Sequence, residues 1–247
     1  MTKLDYEAPS GATHAARHSA DGESSAGADS LLSLLRASTR HAHHALEQTQ
    51  LMHGLLAPSL SLAHYRQVLW VLAEFYYHVD ACFEAQPLAA SVFGDYQYYP
   101  RFPLLIGDLK QLGASQWVAM KPRPRLPGWR ERFLQASSDD RQAWLIAMAY
   151  VIEGSAQGGR IIAPRVARTL NINASQGLRF FSAQIETSER WHALLHHLTK
   201  PDIPLRKRHK TLACEAANSM FSYLQSLAET TVIGDLPHES ARPTITD

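Results

Sequence analysis

Cysteine is scarce in this chain: 247 residues hold only Cys82 and Cys214, far apart and in no metal-type spacing. That excludes a disulfide framework and a Cys-based zinc site, and reduced thiols of this kind point to a cytoplasmic protein. An excess of either charge is lacking as well, since 24 Lys and Arg face 23 Asp and Glu. A nucleic-acid binder with a wholly basic surface is thereby excluded. No apolar run is long enough for a membrane span: the longest, Trp144 to Ile152, cannot cross a bilayer. The opening Met-Thr-Lys-Leu-Asp-Tyr-Glu has no signal-peptide core. Strand-like alternation and internal repeats are absent, as are His-Glu-x-x-His, facing Glu-x-x-His pairs and Gly-x-Ser-x-Gly. What remains is an all-α protein without zincin, di-iron or nucleophile-elbow chemistry.

Hydrophobic residues make up 45% of the chain, enough for one substantial core. Residues 1–29, rich in Ala, Ser, Gly and His without hydrophobic period, read as a disordered arm. Residues 231–247 read as a flexible tail, and 30–230 as a single helical domain. Asp29 or Ser30 caps a first helix running to about Gln48. Ser61 opens a second helix through Trp70, Phe75 and Phe83, and Phe102 to Leu112 form a third. Lys121-Pro-Arg-Pro-Arg-Leu-Pro-Gly128 is an extended connection. Helix resumes near Trp129, and again from Asp139 or Asp140 into a glycine-rich element whose end Pro164 kinks. Helices from Gly177 to about His197 and from Leu205 to about Glu229 complete the set.

One stretch conflicts with its own helical pattern. Tyr150-Val-Ile-Glu-Gly-Ser-Ala-Gln-Gly-Gly-Arg-Ile-Ile-Ala163 is apolar at both ends, yet it holds Gly154, Gly158 and Gly159. Each glycine costs roughly 0.8–1 kcal/mol against Ala inside a helix. Gly154 and Gly158 share a face, with Gly159 beside them, so something approaches this backbone too closely for a Cβ. A tightly packed neighbouring helix and a flat ligand lying over the backbone meet that requirement equally well.

In the first helix, Leu35, Ala42 and Leu46 mark the buried face, with Thr39 inside it. At about 100° per residue His43 falls at the edge of this stripe, while His41 and His44 fall away from it. His43 is therefore the histidine that faces the bundle, either as an ordinary packed ring or as a ligand. Glu47 comes four residues later. It can accept the Nδ1 proton of His43 and leave Nε2 free for a metal, or it is a solvated helix carboxylate. Arg36 and Arg40 stand on the same side, before His43. One imidazole does not make a zinc site, which takes three or four protein ligands. A single axial His opposite a glycine-opened helix is the arrangement for a heme held between two helices.

Thr39-Arg40-x-x-His43-x-x-x-Glu47 resembles the proximal helix of heme oxygenases. Glu153-Gly-Ser-Ala-Gln-Gly158-Gly159-Arg160 resembles their glycine-rich distal helix. Gly177-Leu-x-Phe180-Phe181 and Glu215-Ala-x-x-x-Met-Phe221 match later blocks in the same order, so the similarity spans about residues 31–229. The Tyr-Val-Ile-Glu-Gly-Ser wording is closer to bacterial members, particularly those that supply biliverdin to bacterial phytochromes. The resemblance implies a helical bundle with heme between proximal and distal helices. It also implies a reaction in which heme is cofactor and substrate. With O2 and electrons from an external reductase, the macrocycle opens to biliverdin, carbon monoxide and ferrous iron. By the same resemblance His43 is the axial ligand, Glu47 orients it, and Gly154, Ser155, Gly158 and Gly159 form the distal catalytic segment. Arg36 and Arg40 match positions that hold the heme propionates, and Phe221 matches a pocket-lining aromatic. Tyr150 is a candidate propionate partner or a core tyrosine, and Phe180 and Phe181 read as core. The implied partners are a ferredoxin-like or flavin reductase and, for the product, a bacterial phytochrome.

The chain departs from that family pattern in two places. Animal-type members carry a basic pair on the helix near 188–198, where this sequence reads Ser-Glu-Arg190-Trp191-His-Ala-Leu-Leu-His196-His197-Leu. Which meso carbon is cut therefore stays open. Ser155 stands where animal-type enzymes place an aspartate that holds a distal water. Ser155, Gln157 or Arg160 would serve instead; without such a group the alternative is a non-catalytic heme carrier or sensor. A thiaminase-like hydrolase needs a nucleophilic Cys beside a carboxylate, and Cys214-Glu215 is only a faint version, since helix neighbours do not face each other. The run Arg206-Lys-Arg-His-Lys210 reads as a solvated loop or helix start, with steering of an acidic electron donor as its other use.

Overall fold

A computed structural model describes residues 30–86, 96–115, 126–185, 188–200, 203 and 205–231. The expected arm at 1–29, residues 232–247 of the expected tail and most of the extended connection at 121–128 lie outside the described residues. Regular structure among the described residues is helical throughout, in line with the all-α expectation. In chain order the α-helices are α1 (Leu31–Glu47), α2 (Gln50–Gly54), α3 (Leu62–Ala85), α4 (Phe102–Gln111) and α5 (Gly128–Gln135). They continue with α6 (Ser138–Ala156), α7 (Gly159–Leu170), α8 (Arg179–Ile185), α9 (Ser188–Leu198) and α10 (Lys207–Thr230). No helix among the described residues is long and apolar enough to cross a membrane.

Short polar side chains set the starts. Ser30 accepts from the Ser33 N–H, Thr49 from Met52, Ser61 from His64 and Ser137 from Asp140, each satisfying an orphan donor of the first turn. α10 packs against both α1 and α6, α3 against α4, and α8 against α7. α6 occupies the centre. Ala143 through Ala149, then Val151, Ile152 and Glu153, are buried, so this helix is apolar on nearly every side and has no solvent stripe. α1 shows the opposite pattern, with Leu31, Leu32, Leu35, Thr39 and Leu46 buried and charged residues elsewhere.

Two polar fastenings hold the bundle around α6. Glu153, fully buried, pairs with the buried Arg101 at 2.9 Å and accepts from the Tyr96 hydroxyl at 2.9 Å. Asp108 on α4 caps a helix to which it does not belong: the Arg179 and Phe180 N–H groups donate to its two oxygens at 2.9 and 2.7 Å. Tyr65 donates to the Gly177 carbonyl at 3.1 Å. Gly177 has φ +106°, and a Cβ there would stand 2.4 Å from Leu112 Cγ, so this turn requires glycine. Phe180 and Phe181 beyond it are core, their ring centroids 5.0 Å apart.

The structure adds to the sequence expectation in three places. The glycine-rich element breaks at Gln157 and Gly158, between α6 and α7, whereas Pro164 sits within α7. The stretch from Gly177 to His197 is two helices, α8 and α9, rather than one. The short α2 follows α1 directly, held against α3 by the His64 ring, whose Nε2 donates to the Leu51 carbonyl at 2.8 Å.

Candidate active site

α1 and α6 face each other across a cavity of about 280 Å³. Arg36, Thr39, Arg40 and His43 line it from α1, and Tyr150, Val151, Gly154 and Ser155 from α6. Trp191 of α9 and Phe221 of α10 complete the lining.

His43 reaches this cavity because the buried stripe of α1 leaves it at the border. Its side chain is 48% exposed and its Nδ1 lies 3.5 Å from Glu47 Oε1. Phe221 meets the imidazole edge to face, with centroids 5.5 Å apart and planes at 77°. A carboxylate behind Nδ1 and an aromatic beside the ring together orient the imidazole and leave Nε2 for a ligand. Arg36 and Arg40 are exposed at the mouth. Tyr150 is half-buried, and its hydroxyl is 3.3 Å from Thr39 Oγ1, which itself donates to the Leu35 carbonyl at 2.8 Å. Tyr150 is thus a wall residue of the cavity rather than part of the sealed core.

On the opposite wall one residue lacks a side chain, Gly154, set among Tyr150, Val151 and Ser155. At the break after α6, the Gln157 N–H donates to the Gly154 carbonyl and the Gly158 N–H to the Ser155 carbonyl, at 3.1 and 3.0 Å. Gln157 and Gly158 have φ/ψ of −63/−28° and −61/−27°, the geometry of a 3₁₀ turn. A Cβ on Gly158 would stand 3.2 Å from the Ser155 carbonyl, a tight contact. Gly154 differs. Its φ is not positive, and an added Cβ would meet only the Trp191 ring, at 3.5 Å, an ordinary contact. The packing of the protein alone therefore does not require glycine at 154.

Of the polar candidates near this wall, Ser155 lines the cavity. Gln157 turns its amide back to the Glu153 carbonyl at 3.2 Å, and Arg160 is exposed. Gly159 is buried as the first residue of α7. Neither it nor Gly158 is among the lining residues, so the structure gathers Arg36, Arg40, His43, Tyr150, Gly154, Ser155 and Phe221 in one place.

The donor set fits a heme. One imidazole whose Nδ1 faces Glu47 suits ligation of its iron through Nε2, and two guanidinium groups suit a pair of carboxylates. A larger concavity, about 710 Å³, is lined by Tyr77, Asp80, Phe83, Tyr98 and Phe102. Several of its groups are engaged within the fold: Asp80 accepts from the Arg101 and Phe102 N–H groups, and Phe83 stacks on Tyr98.

The heme oxygenase family profile matches residues 29–230. The chain belongs to the heme oxygenase family.

Among solved structures, the heme oxygenase of Leptospira interrogans is 20% identical, with a TM-score of 0.62, over 81% of this chain and 98% of that one. Heme oxygenase-2 of Synechocystis, in complex with heme and NO, is 19% identical with a TM-score of 0.61, over 81% and 84% of the chains. The NO- and CO-bound heme oxygenase of Neisseria meningitidis is 20% identical with a TM-score of 0.59, over 81% and 90%. At these identities the likeness establishes the fold. No curated protein matches the chain significantly.

Within this heme oxygenase, the basic run opens α10, where Arg208 and His209 approach Asp140 at 3.0 and 3.3 Å. At a rise of about 1.5 Å per residue, Lys207 lies roughly 21 Å along α10 from Phe221. The run therefore serves the helix start and the α6 end rather than the cavity rim. Cys214 is not among the cavity's lining residues, which leaves the hydrolase reading without a nucleophile at this site. Sequence reasoning did not single out Trp191 or the Arg101–Glu153 pair. The signal for Trp191 was a large aromatic on the helix where a basic pair was expected.

Proposed function

We propose that this enzyme holds heme between α1 and α6 and opens it to biliverdin, carbon monoxide and ferrous iron. The observation that carries the assignment of the site is the opposition of His43 to Gly154, a glycine that internal packing does not require. When bound, heme supplies the iron that activates O2 and is itself the molecule cleaved.

The chain's own residues do the rest. His43 would hold the iron through Nε2, and Glu47, behind Nδ1, would orient the imidazole. Arg36 and Arg40 take the propionates at the mouth and fix the macrocycle in its plane. The backbone at Gly154, across the cavity from His43, would confine the bound macrocycle, so that positioning would supply much of the selectivity. The Ser155 hydroxyl holds a water at Oγ that delivers protons, in place of a carboxylate. Phe221 keeps the imidazole upright, and Tyr150, tied to Thr39, closes the wall beside the propionates. Gly158 and Gly159 act by giving the chain its tight turn. Electrons come from a ferredoxin-like or flavin reductase in the cytoplasm, and the biliverdin suits a bacterial phytochrome.

The test is hemin titration followed by ascorbate or a reductase under air, with product chromatography. A Soret band that decays as biliverdin absorbance rises is the expected result. A stable oxygen complex without product would favour a heme carrier, and no Soret band would remove heme from this cavity.

A further inference from the structure

α1 and α6 form two facing walls of the cavity, and each packs on α10. A direct link between them is a pair of hydroxyls: Thr39 Oγ1 of α1 lies 3.3 Å from the Tyr150 hydroxyl of α6. Counting protons gives this link a direction. Thr39 is buried, and its single hydroxyl proton goes to the Leu35 carbonyl at 2.8 Å. Toward Tyr150 its oxygen can therefore only accept, so the tyrosine proton is committed in turn. With no proton left to give, the Tyr150 oxygen meets any further group as an acceptor, which unfits it for a carboxylate.

The link also stands in register with the site. Thr39 precedes His43 by four residues on α1, and Tyr150 precedes Gly154 by four on α6. Residues four apart share a helix face, about 6 Å apart along the axis, and all four of these line the cavity. On both walls the hydroxyl pair is thus one helical turn from the pair His43 and Gly154.

We propose that Thr39 and Tyr150 are positioning residues, a clasp that fixes the distance between α1 and α6 and with it the gap between His43 and Gly154. The inference rests on the heme reading above and assigns Tyr150 to the spacing of the walls rather than to a propionate. Arg36 and Arg40 remain as the carboxylates' partners at the mouth. The two hydroxyls act as one unit: losing either releases the walls, and losing the second adds nothing. A tyrosine that met a propionate directly would act without Thr39.

The test is a double-mutant cycle of Thr39→Val, Tyr150→Phe and the two combined, each loaded with hemin. Far-UV circular dichroism confirms folding, and Thr39→Ala takes the place of Thr39→Val if the valine variant does not fold. Each single variant should release hemin to a heme-scavenging protein about fivefold faster, the worth of one neutral hydrogen bond. The double variant should match the singles, where independent effects would multiply to about 25-fold. The iron–imidazole stretching band should shift alike in all three, a change that a general loss of stability would not produce. Thr39→Ser keeps the hydroxyl and should behave as wild type. Faster release in Tyr150→Phe alone, or effects that multiply, would overturn the clasp and make Tyr150 a direct partner of the ligand. A Soret band in wild type with unchanged release in both single variants would overturn the clasp and leave the heme site standing. No Soret band in wild type would overturn both.

Discussion

Glu153 and Gly154 are neighbours on α6 that face different ways: Gly154 lines the cavity, while Glu153 points into the bundle and pairs with Arg101 at 2.9 Å. The Gly154 wall of the site is therefore anchored by a buried ion pair. Removing one partner of such a pair leaves an uncompensated charge and costs about 3–5 kcal/mol, whereas replacing both by apolar residues of similar size is often near neutral. Arg101→Met should destabilise by about that amount, and the double variant with Glu153→Leu should recover most of it. Urea unfolding of the single and double variants measures both.

His43→Ala should keep the fold and lose most turnover, since the cavity persists without its nitrogen ligand. Added imidazole should restore part of the activity by filling the space. Glu47→Gln should act more weakly, in the iron–imidazole stretching frequency more than in rate. Unchanged turnover in His43→Ala would show that another residue holds the iron.

Gly154→Ala should move stability and function in opposite directions. The added methyl contacts Trp191 at an ordinary 3.5 Å and gains helix propensity, about 0.8–1 kcal/mol. The same methyl intrudes on the ligand's space, so hemin affinity should fall by about tenfold, or ~1.4 kcal/mol. Gly158→Ala should instead lower stability, because its Cβ meets the Ser155 carbonyl at 3.2 Å. Thermal unfolding with and without hemin separates the two.

Acid should act on two buried groups with opposite sign. Burial, aided by the adjacent Arg130, depresses His78 to about 4, and Arg130 donates to its Nδ1 at 2.7 Å. The stability this group contributes is present above 6.5 and is lost as pH falls through about 4. Burial raises Asp108 to about 6 despite its two backbone donors. Its contribution is present below 3.8 and is lost as pH rises through about 6. Each effect is on the order of 3 kcal/mol. From pH 7 to 4, the stability gap between wild type and Asp108→Asn should widen, and that between wild type and His78→Gln should narrow. A narrowing gap for Asp108→Asn would mean that its N–H donors outweigh its burial.

The parts of the fold written in local pattern were legible. The stripe Leu35, Thr39, Leu46 placed His43 at a border, and Ser30 and Ser61 announced two helix starts. The break at Gln157 was not, because its dihedrals remain close to helical and any residue adopts them. Pro164, where the sequence places a kink, lies in the interior of α7. Arg101 and Glu153, like Asp108 and Phe180, meet across long stretches of chain, and no spacing rule joins them. Trp191 depended on how α9 sits against α6, which periodicity within α9 does not specify.

Asp108, Tyr65 and Leu112 grip the Gly177 turn from three directions, and so the floor beneath the phenylalanine pair behaves as a rivet. Whatever breathing the molecule needs to swallow and later expel a large rigid guest has to be taken up away from that turn. Hydrogen exchange should find slow amides at 179 and 180, and the faster ones where the pigment passes.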